Sequence, residues 1–184
     1  MGRAKALLPD RDGVPFVVRS ARALIDGGAA KVCVVARPDT QAAITSALAE
    51  LSTQRAVSVL VNADPDRGQL SSLLTGLDAA PEADALLVTL VDVPFVSVAT
   101  VRAVTAAWEQ TRAPIVRPAR GDEHGHPVLF DRSTFEALSR APLADGAKPV
   151  VRGYAAAIVN VPVDDDGAFV DLDTPDDYRG ALTR

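Results

Sequence analysis

With a single cysteine in 184 residues, the chain can form no internal disulfide and offers no cysteine-based zinc site. That residue, Cys33, lies inside "KVCVVA", where a small apolar thiol suits a core. Basic side chains are in the minority as well. The 19 Lys and Arg stand against 24 Asp and Glu, a formal net charge of -5, which argues against a general binder of nucleic acid or of anionic membranes. No apolar stretch is long enough to span a bilayer. The opening "MGRAKALLPDRDG" is basic but lacks the apolar centre of a signal peptide. A complete Gly-x-Gly-x-x-Gly fingerprint of dinucleotide binding is missing too. These absences leave a soluble, cytoplasmic protein with no nucleic-acid or membrane partner, and the length fits one domain over residues 1–184.

The 48% hydrophobic content supplies a core, and its arrangement is an alternation of short β-branched runs with longer helical ones. "VPFVVRSARALIDGG" has apolar residues at helical spacing and stops on Gly27 and Gly28. "KVCVVAR", "AVSVLVN" and "ALLVTLVD" read as buried strands, and "PDTQAAITSALAELS", "GQLSSLLTGLDAA" and "VSVATVRAVTAAWEQT" as the helices between them. Beyond Ala113 the rhythm shortens: strands "PIVRPA" and "HPVLF" flank a polar loop "RGDEHG", and helices "RSTFEALSRA" and "ADGAKPVVRGY" follow. Then come a strand "AAIVNVPV", a turn "DDDG", a short strand at "FVDL" and a terminal helix. The pattern predicts an α/β Rossmann-like three-layer sandwich, its sheet mostly parallel, with a small antiparallel elaboration.

Ligands of open α/β sheets gather at the carboxyl ends of the strands. Asp92, after "ALLVTLV", is expected at such an end, as are Asn62 and the "RPARGDEHGHP" loop. A carboxylate there either caps the next turn or binds something cationic, and Mg²⁺ takes one or two carboxylates plus substrate phosphates. "FVDLDTPDD" adds Asp171 and Asp173, which on a strand would point the same way. Capping of the last helix by Asp173 or Thr174 is the competing role. Gly68, Ser71 and Ser72 open a helix, where amides and hydroxyls can hold an anion or a base edge. His124 and His126 have no third soft ligand nearby, so a hydrogen-bonding role for His126 beside Gly125 is expected rather than zinc.

The set "MGRAKALLP", "VNADPDRGQLSSLLTGL", "LLVTLVDVPFV", "GHPVLF" and "DLDTPDDY" resembles, in order and at similar intervals, the MobA-like nucleotidyltransferase family. It is most like the molybdenum-cofactor cytidylyltransferase branch. The resemblance implies a nucleotide-diphospho-sugar transferase-like fold and transfer of a nucleoside monophosphate to a phosphorylated acceptor with release of pyrophosphate. It implies CTP or GTP as donor, Mg²⁺ as cofactor, a molybdopterin-type acceptor, and a molybdoenzyme or its chaperone as partner. By position, Lys5 matches the lysine on the triphosphate and Asp92 the metal-binding aspartate. Asp173, or else Asp171, matches the second metal-side position. Asn62, Gly68, Ser71 and Ser72 match the loop around base and ribose, and Gly125 and His126 the acceptor side.

Two departures bear on function. Val93 stands where the cytidylyltransferase branch carries glutamine, which leans toward GTP. The family also places a strand and a Leu-Ala-Ala-Gly-x-x-x-Arg loop before Met-Gly-x-x-Lys, the point at which this sequence opens. A sheet without that strand is expected to leave "KVCVVAR" beside an apolar slot with unpaired backbone groups, and to bind triphosphate poorly. Other readings are a different acceptor such as a sugar phosphate, a non-catalytic nucleotide or cofactor carrier, and an oxidoreductase, a label some relatives of this branch carry.

Overall fold

The computed structural model describes residues 4–54 and 57–182; Met1 to Arg3 of the first motif and Ala56 of the second expected strand lie outside that range. A single 3-10 turn at Lys5–Leu7 leads into α1 (Phe16–Asp26), which ends where the glycine pair was expected to stop it. Strand β1 (Val32–Ala36) follows, then α2 (Gln41–Ala47) and α3 (Ala49–Gln54). The sequence predicts one helix there; the chain instead kinks at Leu48, which is fully buried. Strand β2 (Val57–Val61) pairs in parallel with β1, Val32 opposite Val57 through Ala36 opposite Val61. The Asn62 amide extends the ladder by donating to Ala36 O at 3.0 Å.

Helix α4 (Gln69–Asp78) crosses to β3 (Ala85–Val88), and α5 (Val98–Thr111) to β4 (Ile115–Arg120). Strand β5 (Glu123–His124) folds back on the end of β4, so the polar loop is a short hairpin. Strand β6 (Val128–Asp131), helices α6 (Phe135–Arg140) and α7 (Lys148–Gly153), strand β7 (Ile158–Pro162) and helix α8 (Pro175–Leu182) complete the order. Strand β6 lies antiparallel between β3 and β4, and β7 runs parallel to β4 on its other side. Strands β3, β4 and β7 therefore share one direction, and β5 and β6 are the antiparallel elaboration.

Helices sandwich this sheet. Leu70, Ile115, Phe130, Leu138 and Val150 bury the face covered by α4, α6 and α7. Val104, Trp108, Val116 and Leu129 bury the opposite face under α5. A third cluster packs Val17, Val18 and Ala21 of α1 and Ile44 and Leu48 against β1 and β2.

The sheet is interrupted. Strands β1–β2 form one ladder and β3, β4, β5, β6 and β7 another, with no hydrogen bond between β1 and β3. Both strands instead line a cavity of about 1710 Å³, the apolar slot expected beside "KVCVVAR". Helices bridge it: α1 meets α5 so closely that a Cβ on Gly27 would lie 2.2 Å from Val101 Cγ1. Among the described residues, no helix is long and apolar enough to cross a membrane.

Candidate active site

Asp92 does not end a strand. Strand β3 stops at Val88, and Thr89 to Asp92 leave the sheet in a turn closed by Val93 N donating to Leu90 O at 3.2 Å. That turn carries the Asp92 carboxylate to the mouth of the slot. The backbone holds it there, because Asp92 O accepts from Leu172 N at 2.9 Å. Asp92 is not the cap of the following helix. Ser97 caps α5 by accepting from Thr100 N at 3.1 Å. The Asp165 carboxylate completes the cap, accepting from Ser97 N at 2.9 Å and from Thr100 Oγ1 at 2.5 Å.

The stretch around Asp171 and Asp173 is extended but pairs with no strand, and the two carboxylates serve different neighbours. Asp173 Oδ1 accepts from Lys5 Nζ at 2.8 Å, while Lys5 Nζ lies 3.9 Å from Asp92 Oδ2. Asp171 instead acts on His126 through its charge. Capping of α8 falls to Thr174 and Asp177, which bond reciprocally: Asp177 N donates to Thr174 Oγ1 at 3.1 Å and Thr174 N to Asp177 Oδ2 at 2.7 Å. Asp173 is thereby left to Lys5. Tyr178 fastens the arrangement, its hydroxyl donating to Pro9 O at 2.8 Å and its ring packing on Phe16.

One atom of this group is out of place in a finished protein. Asp92 Oδ1 is buried and accepts no hydrogen bond from the described residues. A buried carboxylate oxygen normally has a donor or a cation, so the donor set fits a divalent cation. Among the described residues, no three His, Cys, Asp or Glu side chains converge as a complete cage. Two carboxylates with substrate phosphates filling the remaining positions suit Mg²⁺ chemistry better than a closed protein cage does.

Asn62, Gly68, Ser71 and Ser72 come together as expected, but much of their hydrogen bonding is mutual. Buried Asn62 donates to Ser71 Oγ at 2.7 Å and to Ser72 Oγ at 3.1 Å, and accepts from Asp64 N at 3.0 Å. Ser71 in turn donates to Gly68 O at 2.7 Å. Gly68 has φ of +95°, a conformation other residues avoid. The loop is thus built before any ligand arrives, and Gly68 and Ser72 face the cavity.

On the far side of the slot, Gly125 is a point of close approach rather than of flexibility. A Cβ there would lie 2.3 Å from Ala168 O. The same carbonyl accepts from His126 N at 2.8 Å, so the 165–169 turn sets the position of His126. Its Nδ1 lies 3.5 Å from Val88 O. Burial pushes the imidazole below its usual value despite the Val88 carbonyl and the charges of Asp171 and Asp92, which leaves it neutral at pH 7. His124 sits apart and exposed on β5.

The arrangement is a two-sided cleft with a lysine and two carboxylates at its centre. The model of the MobA-like NTP transferase domain matches residues 1–159. The chain belongs to that family. It is 32% identical over 186 residues to nicotine blue oxidoreductase of Paenarthrobacter nicotinovorans, covering 95% of this chain and 86% of that protein. The manganese complex of Rv0371c from Mycobacterium tuberculosis H37Rv superposes with a TM-score of 0.80 at 27% identity, over 100% of this chain and 94% of that one. Molybdopterin-guanine dinucleotide biosynthesis protein A from Archaeoglobus fulgidus shares the fold, with a TM-score of 0.68 at 18% identity over 99% and 90% of the two chains. Membership makes this MobA-like chain a nucleotidyltransferase by family and places it in the predicted fold class.

Sequence reasoning passed over Asp165 and Arg117. A polar residue at an inward position of the buried strand "PIVRPA" was the available signal for Arg117. Asp165, one of three consecutive aspartates, carried none.

Proposed function

We propose that the protein transfers CMP from CTP to the phosphate of a molybdopterin-type cofactor, releasing pyrophosphate and passing the product to a molybdoenzyme or its chaperone. The observation that carries the reading is Asp92 Oδ1, without a partner among the described residues, beside the Lys5–Asp173 ion pair. A divalent cation held by Asp92 and Asp173 would supply charge neutralisation at the phosphates, and Mg²⁺ or Mn²⁺ fits that role. Lys5, already within reach of both carboxylates, exchanges them for triphosphate oxygens when the nucleotide binds. Gly68 and Ser72 receive the nucleoside from the β2 side, and His126 and Gly125 border the acceptor. An acceptor phosphate oxygen attacks the α-phosphorus, and the bond to the β-phosphate breaks in line. Positioning and charge stabilisation do most of the work in such transfers.

Val93, the position that leans toward GTP, is buried with Val96 and Val101. An oxidoreductase reading draws on the name of the Paenarthrobacter relative, and the absent dinucleotide fingerprint weighs against it.

The test is Mn²⁺ binding followed by electron paramagnetic resonance, with and without CTP, for the protein and its Asp92→Asn variant. Affinity should fall at least about tenfold. The melting temperature should hold or rise, since the orphaned oxygen is a cost in the folded state. Unchanged Mn²⁺ binding would remove the metal role, and a large loss of stability would return Asp92 to a structural one. Pyrophosphate release with CTP against GTP, and NADPH consumption, separate the donors and the reaction classes.

A further inference from the structure

The turn that anchors His126 and the stretch that holds Asp92 are one continuous strap, residues 165–173, and it contacts both sides of the candidate site. With one side it meets the loop 92–97. Asp165 accepts from Ser97 N at 2.9 Å, Gly167 abuts Phe95, and Leu172 N donates to Asp92 O at 2.9 Å. Partner numbers fall along the strap as they rise along the loop, so the two segments run antiparallel in one register. With its other side the strap meets the loop 120–126. Arg120 bonds Asp166 at 2.6 Å and lies over the Phe169 ring at 4.7 Å, and Ala168 O accepts from His126 N at 2.8 Å. The strap's last residue, Asp173, takes Lys5.

Two glycines set how closely the three segments lie. A Cβ on Gly167 would fall 2.1 Å from Phe95 O and 2.5 Å from Phe95 C, and one on Gly125 would fall 2.3 Å from Ala168 O. Neither glycine has a positive φ, so close approach, not backbone conformation, keeps a side chain out. Gly167 and Ala168 are neighbours, one against the Asp92 loop and the other against His126. Whatever lifts residue 167 from Phe95 therefore moves the anchor of His126. The Asp92 loop has little room to give way instead. Val93 and Pro94 are buried, and the Phe95 ring is held edge-on by Phe16 with Arg19 over it at 5.0 Å. Ala168 is buried as well. Interiors packed this closely transmit a displacement rather than absorb it.

We infer that Gly167 is a positioning residue: it fixes the separation of Asp92 and His126, and with it the alignment of the metal-bound triphosphate with the acceptor. The alignment rests on the transferase reading above; the spacing itself does not. In-line transfer is sensitive to such spacing, since a misplacement of about 1 Å costs on the order of 100-fold in rate. Asp92 and Asp173 are tied at the Leu172 end of the strap and His126 at the Ala168 end. A change at Gly167 therefore shifts one group against the other and leaves each intact.

The test is Gly167→Ala, with Gly153→Ala, whose added Cβ meets open space, as the control. Mn²⁺–CTP binding should stay within about twofold of the parent, while kcat for transfer to a molybdopterin acceptor falls about 10–100-fold well below both melting temperatures. The His126 ring resonances should shift in NMR, with exposed His124 as internal reference. In an active protein, a parent-like kcat or an unmoved His126 would overturn the inference. So would a loss of Mn²⁺–CTP affinity in proportion to kcat, which would assign Gly167 to the metal side alone. If neither parent nor variant transfers CMP to any acceptor, the transferase reading fails and the His126 shift decides the spacing. Hydrogen exchange on the parent covers a variant that does not fold. The Leu172 and His126 amides, which join the strap to its two neighbours, should exchange through one opening, with protection equal within about threefold. Rates more than about tenfold apart would show that the strap holds the two loops independently, and would overturn it.

Discussion

Replacing Asp165 by alanine should cost more than most single changes outside the apolar core, because one carboxylate accepts three bonds and joins two segments. It accepts from Ser97 N and Thr100 Oγ1 at the start of α5 and from Gly167 N at 3.1 Å in its own turn. Burial alone would raise its pKa above that of an ordinary aspartate, but the bonds from Thr100, Ser97 and Gly167 outweigh it and hold the carboxyl lower. The group is half-buried, so each bond is taken at the weak end for a charged acceptor, about 1 kcal/mol, for a total of about 3 kcal/mol. For a chain of this size that is a fall in melting temperature of about 6–12 °C. A group whose folded pKa is depressed stabilises the protein above its unfolded value and loses that stabilisation as pH falls through the folded one. The gap between protein and Asp165→Ala should therefore be full at pH 7 and close below the ordinary aspartate range. Differential scanning calorimetry from pH 7 to pH 3 reads both. A gap under about 2 °C at neutral pH, or one that widens on acidification, would refute the reasoning.

Two further changes test the walls of the cleft. Gly125→Ala forces a Cβ to within 2.3 Å of Ala168 O; backbone must move, at about 1–3 kcal/mol, and the His126 ring resonances should shift in NMR along with the melting temperature. A variant as stable as the parent would show that the 165–169 turn yields freely. Asn62→Ala leaves Ser71, Ser72 and the Asp64 amide without their partner, which should cost about 2 kcal/mol in urea unfolding even without nucleotide. No loss of stability, with weakened CTP binding alone, would mean that Asn62 acts on the base directly.

Local patterning made most elements readable before any coordinates. The apolar spacing and Gly27 bound α1, the run "VSVATVRAVTAAWEQT" marks α5, and β-branched runs mark β1, β2 and β7. What was not legible depends on partners far along the chain. Nothing in "HPVLF" says that β6 inserts between β3 and β4, because strand order is set by tertiary packing. The two-residue β5 is too short to show alternation. "FVDL" looks like a strand, but its backbone is spent elsewhere, with Leu172 N on Asp92 O. Asp92, Asp171 and Asp173 drew notice because carboxylates beside apolar runs need a reason to be there, whereas Lys5 came only from the family resemblance.

The break in the sheet and the position of the site are one feature. The turn bearing Lys5 packs through Ala6 into the cluster under α1, α2, β1 and β2. Asp92 and Asp173 belong to the other side, tied together where Leu172 N bonds Asp92 O. The ion pair of Lys5 with Asp173, and its longer approach to Asp92, therefore span the line where β1 and β3 fail to pair. Helix packing at Gly27, the Tyr178–Pro9 bond and the donation of Arg102 to Asp26 O also cross the junction. An exposed ion pair contributes little stability, so under the proposed function the lysine–carboxylate contacts would give way to phosphate and metal at small cost. A ligand that bridges Lys5 and Asp92 would draw the two ladders together, and binding and stiffening of the junction would be the same event.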